Sequence, residues 1–203
     1  SLLSAQAGEP GALSEARGRR GMVVSVSPPA TEAGLAILEA GGNAVDAAIA
    51  VEFALAVTWP AAGNIGGGGF MLVHPPDGRD VVCFDYRETA PGKATATMFN
   101  PQEGKLTHKI VGVPGTVSGM AKAHARFGKL EWKPLVMPAV KLSADGFEVD
   151  EALARSMNWV VESKSTREGT HQRELIRVYG KKPQDGNESP KWKAGDRLVL
   201  PDL

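Results

Sequence analysis

The chain has 203 residues, and its 23 basic and 23 acidic side chains give a formal net charge of zero at pH 7. This balance provides no broad electrostatic attraction to nucleic acid or to an anionic membrane surface, so neither is expected as a partner. Cys83 is the single cysteine and the four histidines are scattered, which excludes an internal disulfide and argues against a metal site.

Residues 1–20 are small and polar with several arginines, and we interpret them as a flexible leader. Within them, Ala5-Gln6-Ala7 has the small-x-small form of a signal-peptide cleavage site, but no positively charged start or full apolar stretch precedes it. Two interpretations stay open. Either these residues are the tail of a signal peptide, in which case the protein is exported, or the match is chance.

A strand and a helix are predicted next. Met22 to Val26 is a short apolar run that favours a strand. From Ala30 to Leu38 the apolar residues recur at helical spacing, which predicts an amphipathic helix. Gly41-Gly42 is expected to end that helix with a left-handed cap.

Asn43 is the expected N-cap of a second helix, Ala44 to Val57. This helix is apolar on nearly every side, so it should be buried. It is too short to span a bilayer comfortably, and it carries Asp46 and Glu52. The spacing of these two acids places them on different faces, which favours cap and rim roles over an acid/base pair.

A glycine-rich stretch, Gly63 to Gly69, precedes a predicted β-hairpin. Phe70 to Val73 is expected to be a strand buried on both faces, and Pro75 to Gly78 a turn. The return strand is predicted over Val81 to Tyr86, with alternation that places Asp85 and Arg87 on one face. Cys83 lies within this strand and is expected to be an inert buried thiol.

The glycines allow several interpretations. A phosphate-binding loop requires a helix after the glycines, whereas here a strand follows and no Gly-Lys-Ser/Thr ending is present. A nucleotide site is therefore disfavoured. Close approach of the backbone to a neighbour, a positive φ, and a loop that lines a site all stay open.

Arg87 is the best candidate for ligand contact, because it ends a strand inside the stretch DYRETAP. Its guanidinium presents a fork of donors that matches a carboxylate. The alternative is a structural ion pair with Asp85 or Glu88. Two pairs of sequence neighbours combine a nucleophile with a base, Thr107-His108 and Thr170-His171. They are disfavoured, because sequence neighbours rarely reach that geometry and both pairs lie in polar, loop-like segments.

The second half is predicted to be mainly helical. Thr116 is the expected cap of one helix that ends at Gly128, and Asp150 caps another. Between them, Trp132 to Ala144 is predicted to be a helix kinked or split at Pro138. The stretch from 163 to 197 is charged and poor in apolar residues, and is interpreted as a surface excursion or as partly disordered.

Four stretches taken together resemble the start of the large subunit of gamma-glutamyltranspeptidases (glutathione hydrolases). They are GGNAVDAA, GNIGGGGFM, DYRETAP and GVPGTVSGM, and the similarity runs from about Gly21 to the closing GDRLVLPDL. Residues 21–203 would then be a truncated N-terminal portion of that subunit. Cephalosporin and glutaryl acylases share much of the pattern and are the nearest alternative.

The resemblance implies an α/β fold of the N-terminal nucleophile hydrolase type, with αββα layers that are incomplete in this chain. The family's precursor cuts itself into a large and a small subunit, and the new N-terminal threonine attacks the γ-glutamyl amide of glutathione or a related substrate. No metal or cofactor is implied, and a periplasmic or extracellular location is expected.

One residue carries over from the family. Arg87 matches the arginine of the family's R-E-x-A-P motif, which binds the α-carboxylate of the glutamyl group. The glycine run would then pack tightly under the substrate pocket. The threonine lies beyond this sequence, so we expect no catalytic residue here and an inactive chain that needs the small subunit as partner. A non-catalytic carboxylate-binding module is the alternative from another class.

Overall fold

The computed structural model describes residues 16–99, 108–163, 172–182 and 190–203. The helices and strands follow one another in this order: α1 (Pro28–Glu39), α2 (Ala44–Thr58), β1 (Phe70–Val73), β2 (Val82–Asp85), a 3-10 turn (His108–Ile110), α3 (Thr116–Phe127), α4 (Trp132–Asp145), β3 (Phe147–Glu148), α5 (Glu151–Glu162), α6 (Gln172–Tyr179) and β4 (Arg197–Leu198). The described residues form two separate antiparallel pairs, β1 with β2 and β3 with β4.

Helix α2 lies at the centre of the packing. It contacts α1, α3 and α4, and its residues Ile49, Ala50 and Ala54 are fully buried. This confirms the prediction of a buried helix, and its small alanines let the neighbouring helices approach closely. No helix in the described ranges combines the length and apolarity needed to cross a bilayer.

The junction between α1 and α2 follows the predicted caps. Gly41 has a φ of 91°, and its N–H and that of Gly42 donate to the carbonyls of Leu38 and Ile37, as in a Schellman motif. Asn43 then accepts hydrogen bonds from the first turn of α2, which confirms it as the N-cap. The chain therefore reverses between the two helices with these terminal groups hydrogen-bonded.

The hairpin of β1 and β2 is confirmed, but the burial predicted for it is wrong. Met71 pairs with Phe84 and Val73 with Val82, and Met71, Val73 and Phe84 pack against the core that includes α2 and α3. On the opposite face Phe70 is 58% exposed and Leu72 is 71% exposed. Cys83 shares that outer face and is also exposed, because none of the described residues covers it.

Two further local predictions need correction. Met22 to Val26 forms no strand, since no described segment pairs with its backbone. Thr116 is not a cap; it is the first helical residue of α3, 1% exposed, and Gly115 precedes it as N-cap.

Two predictions about helix ends in the second half are confirmed. Asp150 caps α5 through the Leu153 N–H, and Gly128 ends α3. Helix α4 continues through Pro138 without being split. Of the charged stretch, residues 164–171 and 183–189 lie outside the described part, as do residues 1–15 of the predicted leader.

Candidate functional site

Arg87 lies two residues after the end of β2, with its side chain directed to the outside. The side chain is 66% exposed, and its Nε is 3.8 Å from Oε2 of Glu88. Asp85, the other predicted ion-pair partner, instead accepts a hydrogen bond of 3.0 Å from the Arg87 backbone N–H. An exposed ion pair at this distance contributes little, so Glu88 does not lock the guanidinium away from a ligand.

The backbone around Arg87 is held on both sides. The Tyr86 N–H donates to the Gly69 carbonyl at 3.0 Å. Thr89 and Val113 exchange two hydrogen bonds, of 3.3 Å and 2.9 Å, in an isolated bridge. The exit of β2 is therefore fixed between the glycine loop and the segment that leads into α3.

The glycine loop allows close approach to this backbone. A Cβ added at Gly68 would lie 2.7 Å from the Tyr86 carbonyl oxygen and 2.8 Å from Cα of Arg87. A Cβ at Gly69 would lie 3.0 Å from the Tyr86 ring. Neither glycine has a positive φ. Packing, and not an unusual backbone conformation, therefore explains these glycines.

A second glycine-rich stretch approaches the same backbone from α3. The N–H groups of Gly115 and Thr116 both donate to the Gly67 carbonyl, at 2.8 Å and 3.1 Å. A Cβ at Gly112 would lie 2.7 Å from Cβ of Glu88, and Cβ atoms at Gly115 and Gly119 would overlap Tyr86. Three of the motifs that carried the resemblance thus meet at Tyr86, Arg87 and Glu88.

This convergence was missed in the sequence. The available signal was the spacing of Gly115 and Gly119, which places two residues without side chains on one face of a helix. That spacing indicates a close neighbour, but it does not indicate which segment the neighbour is.

The inner side of the site contains two titratable groups. Burial raises the pKa of the Glu52 carboxyl, which projects from α2. Burial also raises the pKa of the Tyr86 hydroxyl, and the charge of Glu52 adds to that shift. Among the described residues, no three His, Cys, Asp or Glu side chains are grouped so that they could hold a metal ion.

The other candidate residues lie apart from this site. His108 is exposed in the 3-10 turn, whereas Thr107, Thr170 and His171 lie outside the described residues. A cavity of about 870 Å³ lies between α6 and the last residues of the chain, and Arg87 does not line it. Arg87 therefore stays a predicted binding residue on an exposed face.

Comparison with known proteins places this arrangement in a family. The family model described as Gamma-glutamyltranspeptidase matches residues 30–203. A glutathione hydrolase proenzyme from Escherichia coli (strain K12) is 42% identical over 192 residues, which cover 90% of this chain and 30% of that protein. The chain thus spans about a third of the length of that relative.

Solved structures agree with the sequence comparison. The gamma-glutamyltranspeptidase of Helicobacter pylori matches with a TM-score of 0.76 and 36% identity, over 93% of this chain and 53% of that chain. A cephalosporin acylase from Bacillus halodurans is more distant, with a TM-score of 0.69 and 25% identity, over 95% of this chain and 37% of that chain. The fold is that of the N-terminal nucleophile hydrolases, and the chain belongs to the gamma-glutamyltranspeptidase family.

Proposed function

We propose that this chain is the N-terminal part of the large subunit of a gamma-glutamyltranspeptidase, and that Arg87 binds the α-carboxylate of the γ-glutamyl substrate. The observation that carries the proposal is the contrast at this residue. Its backbone is held by hydrogen bonds and by glycine contacts, while its guanidinium is 66% exposed. A fixed backbone with an accessible cationic fork suits bidentate recognition of a carboxylate.

The remaining chemistry belongs to the longer protein. By the family resemblance, a threonine at the start of the small subunit attacks the γ-glutamyl amide, and the resulting acyl-enzyme passes to water or to an amino acid. The contribution of this chain is to orient the glutamyl group, which lowers the entropy cost of that attack. We propose that the chain alone is inactive, that it pairs with a small subunit cut from the same precursor, and that the enzyme is exported.

The activity is tested on the complete protein that contains this sequence. We expect it to cleave itself into two subunits and to release p-nitroaniline from γ-glutamyl-p-nitroanilide. A protein that shows neither self-cleavage nor release would refute the proposed activity. The chain by itself, assayed in parallel, should release nothing.

The role of Arg87 is tested by Arg87→Ala in the same protein. Loss of a charge-assisted contact should weaken substrate binding by roughly 2–4 kcal/mol and raise KM accordingly. The kcat value should change much less, because the contact is made in both the ground state and the transition state. The KM of Arg87→Lys should lie between those of the parent and Arg87→Ala, since an ammonium keeps the charge but loses the fork of donors.

A matched control comes from the hairpin turn. Arg79 is also exposed and is paired with Asp77 at 2.7 Å, so Arg79→Ala removes the same charge at another place. Its KM should stay at the parent value. Equal effects of the two substitutions would mean that only net charge matters, which would contradict a specific role of Arg87.

The cephalosporin acylase similarity supports a second candidate within the same fold. A glutaryl substrate has a carboxylate at the same position as a γ-glutamyl substrate but lacks the α-amino group. Faster turnover of glutaryl than of γ-glutamyl substrates by the complete protein would favour the acylase. The non-catalytic alternative predicts micromolar binding of glutamate by the isolated chain, which calorimetry would detect.

A further inference from the structure

Tyr86 lies between two glycines that come from different parts of the chain. On one side the side chain contacts Gly119 in the second turn of α3, where an added Cβ would overlap the Tyr86 Cβ and ring. On the other side an added Cβ at Gly69 would lie 3.0 Å from Cε2 and 3.5 Å from the hydroxyl oxygen. The ring thus occupies a slot that exists because both positions lack a side chain.

The slot is connected to Arg87 through one peptide bond. The Tyr86 ring is half-buried against Gly119, whereas the Arg87 side chain is 66% exposed, so the two side chains are directed to opposite sides. An added Cβ at Gly119 would overlap the Tyr86 Cβ as well as the ring, so the Tyr86 backbone has to shift. Because the peptide unit is planar and rigid, such a shift moves the Cα of Arg87 with it. The Tyr86 carbonyl is also packed against Gly115, one turn before Gly119, so the backbone has little room to compensate.

We propose that Gly119 is a positioning residue that seats Tyr86 and thereby places Arg87 for binding a substrate carboxylate, an inference that rests on the function proposed above for Arg87. Gly119 itself touches no substrate. Its role is to keep α3 close to the exit of β2, so that the guanidinium starts from a fixed point.

The direction in which Gly119→Ala changes stability separates this role from ordinary helix propensity. Alanine is the better helix former, so in an open helix position the change would stabilise α3. Here the new Cβ has to displace Tyr86. The neighbouring Ser118 is exposed on the same helix, and Ser118→Ala is the matched control.

The experiment uses the complete protein and two readouts. With Gly119→Ala, KM for γ-glutamyl-p-nitroanilide should rise by about ten- to a hundredfold, with kcat within about twofold of the parent value. Amide hydrogen exchange should accelerate in the peptide that contains Tyr86 and Thr89, whose N–H groups bond to Gly69 and Val113. Ser118→Ala should match the parent in both readouts.

If Gly119→Ala does not fold, Tyr86→Ala and Tyr86→Phe replace it. The first empties the slot and should raise KM, whereas the second keeps the ring and should restore the parent value. An unchanged KM, or unchanged exchange at Tyr86 and Thr89, overturns the inference. If the parent protein is inactive, the proposed function is refuted instead. The hydrogen-exchange comparison then tests by itself whether Gly119 holds Tyr86 in place.

Discussion

Two acidic side chains flank Arg87, and they act on different parts of it. Asp85 accepts the Arg87 backbone N–H and so stabilises the bend at the end of β2. Glu88 lies 3.8 Å from the guanidinium, and both partners are partly exposed to water. An exposed pair of this kind contributes about 0–1 kcal/mol, which a bidentate substrate carboxylate can replace.

Glu52 allows a prediction about pH at the scale of a single residue. Its pKa is raised above 4.5 by burial, so the folded state holds this proton more tightly than the unfolded state does. The contribution of Glu52 to stability is therefore present below the unfolded pKa and is lost as pH rises through the higher folded pKa. Glu52→Gln removes the titrating group, so its melting temperature should fall less than that of the parent as pH rises above 4.5.

The measurement is a series of thermal melts of the two proteins across that pH range. Glu39→Gln is the control, because Glu39 is exposed on α1. Its melting temperature should follow that of the parent at each pH. Parallel curves for the parent and Glu52→Gln would show that burial does not affect this carboxyl.

At the scale of elements, the start of α2 joins three helices. Both carboxylate oxygens of Asp46 accept the Lys129 N–H at 3.1 Å, and Oδ2 also accepts the Leu130 and Asn43 N–H groups. Asn43 in turn donates to the Phe127 carbonyl at 2.6 Å. The stretch GGNAVDAA thus combines a helix cap with a link to the connection between α3 and α4.

Asp46→Ala tests this link. Asp46 is fully buried, so the substitution leaves three backbone N–H groups without their acceptor. We expect a loss of about 3–5 kcal/mol in the free energy of unfolding, measured by urea denaturation. Glu39→Ala, on the exposed face of α1, should cost less than about 0.5 kcal/mol. A comparable small loss for Asp46→Ala would mean that water replaces the carboxylate.

At the scale of the whole molecule, the outer face of the hairpin carries apolar side chains that no described segment covers. Phe70 and Leu72 are 58% and 71% exposed, and Val81 beside them is 53% exposed. A contiguous apolar patch of this kind marks an interaction surface. This agrees with the expectation that the αββα layers are incomplete in this chain.

The exposed face leads to a prediction for the isolated chain. It should bind an apolar fluorescent dye and self-associate, because water contact with these side chains is unfavourable. Replacing both Phe70 and Leu72 by serine should reduce dye binding and association. Trp159→Ser is the control, since Trp159 is 73% exposed on α5, outside the hairpin. Dye binding that falls only with Trp159→Ser would place the patch elsewhere.

The sequence by itself determined the features that depend on neighbouring residues. The caps at Gly41, Asn43 and Asp150, the buried helix α2 and the hairpin turn follow from local hydrogen bonding and from hydrophobic periodicity. The family motifs also singled out Arg87, whose role stays a prediction.

Only the tertiary structure decided the features that depend on distant segments. Alternation along β2 defines two faces, but which face is covered depends on where α2 and α3 pack, and so Cys83 was misassigned. The seat of Tyr86 between Gly69 and Gly119 was likewise not predictable. The physical reason is that a glycine in the sequence shows only where a side chain is missing. Which residue fills that space depends on packing between segments far apart in the chain.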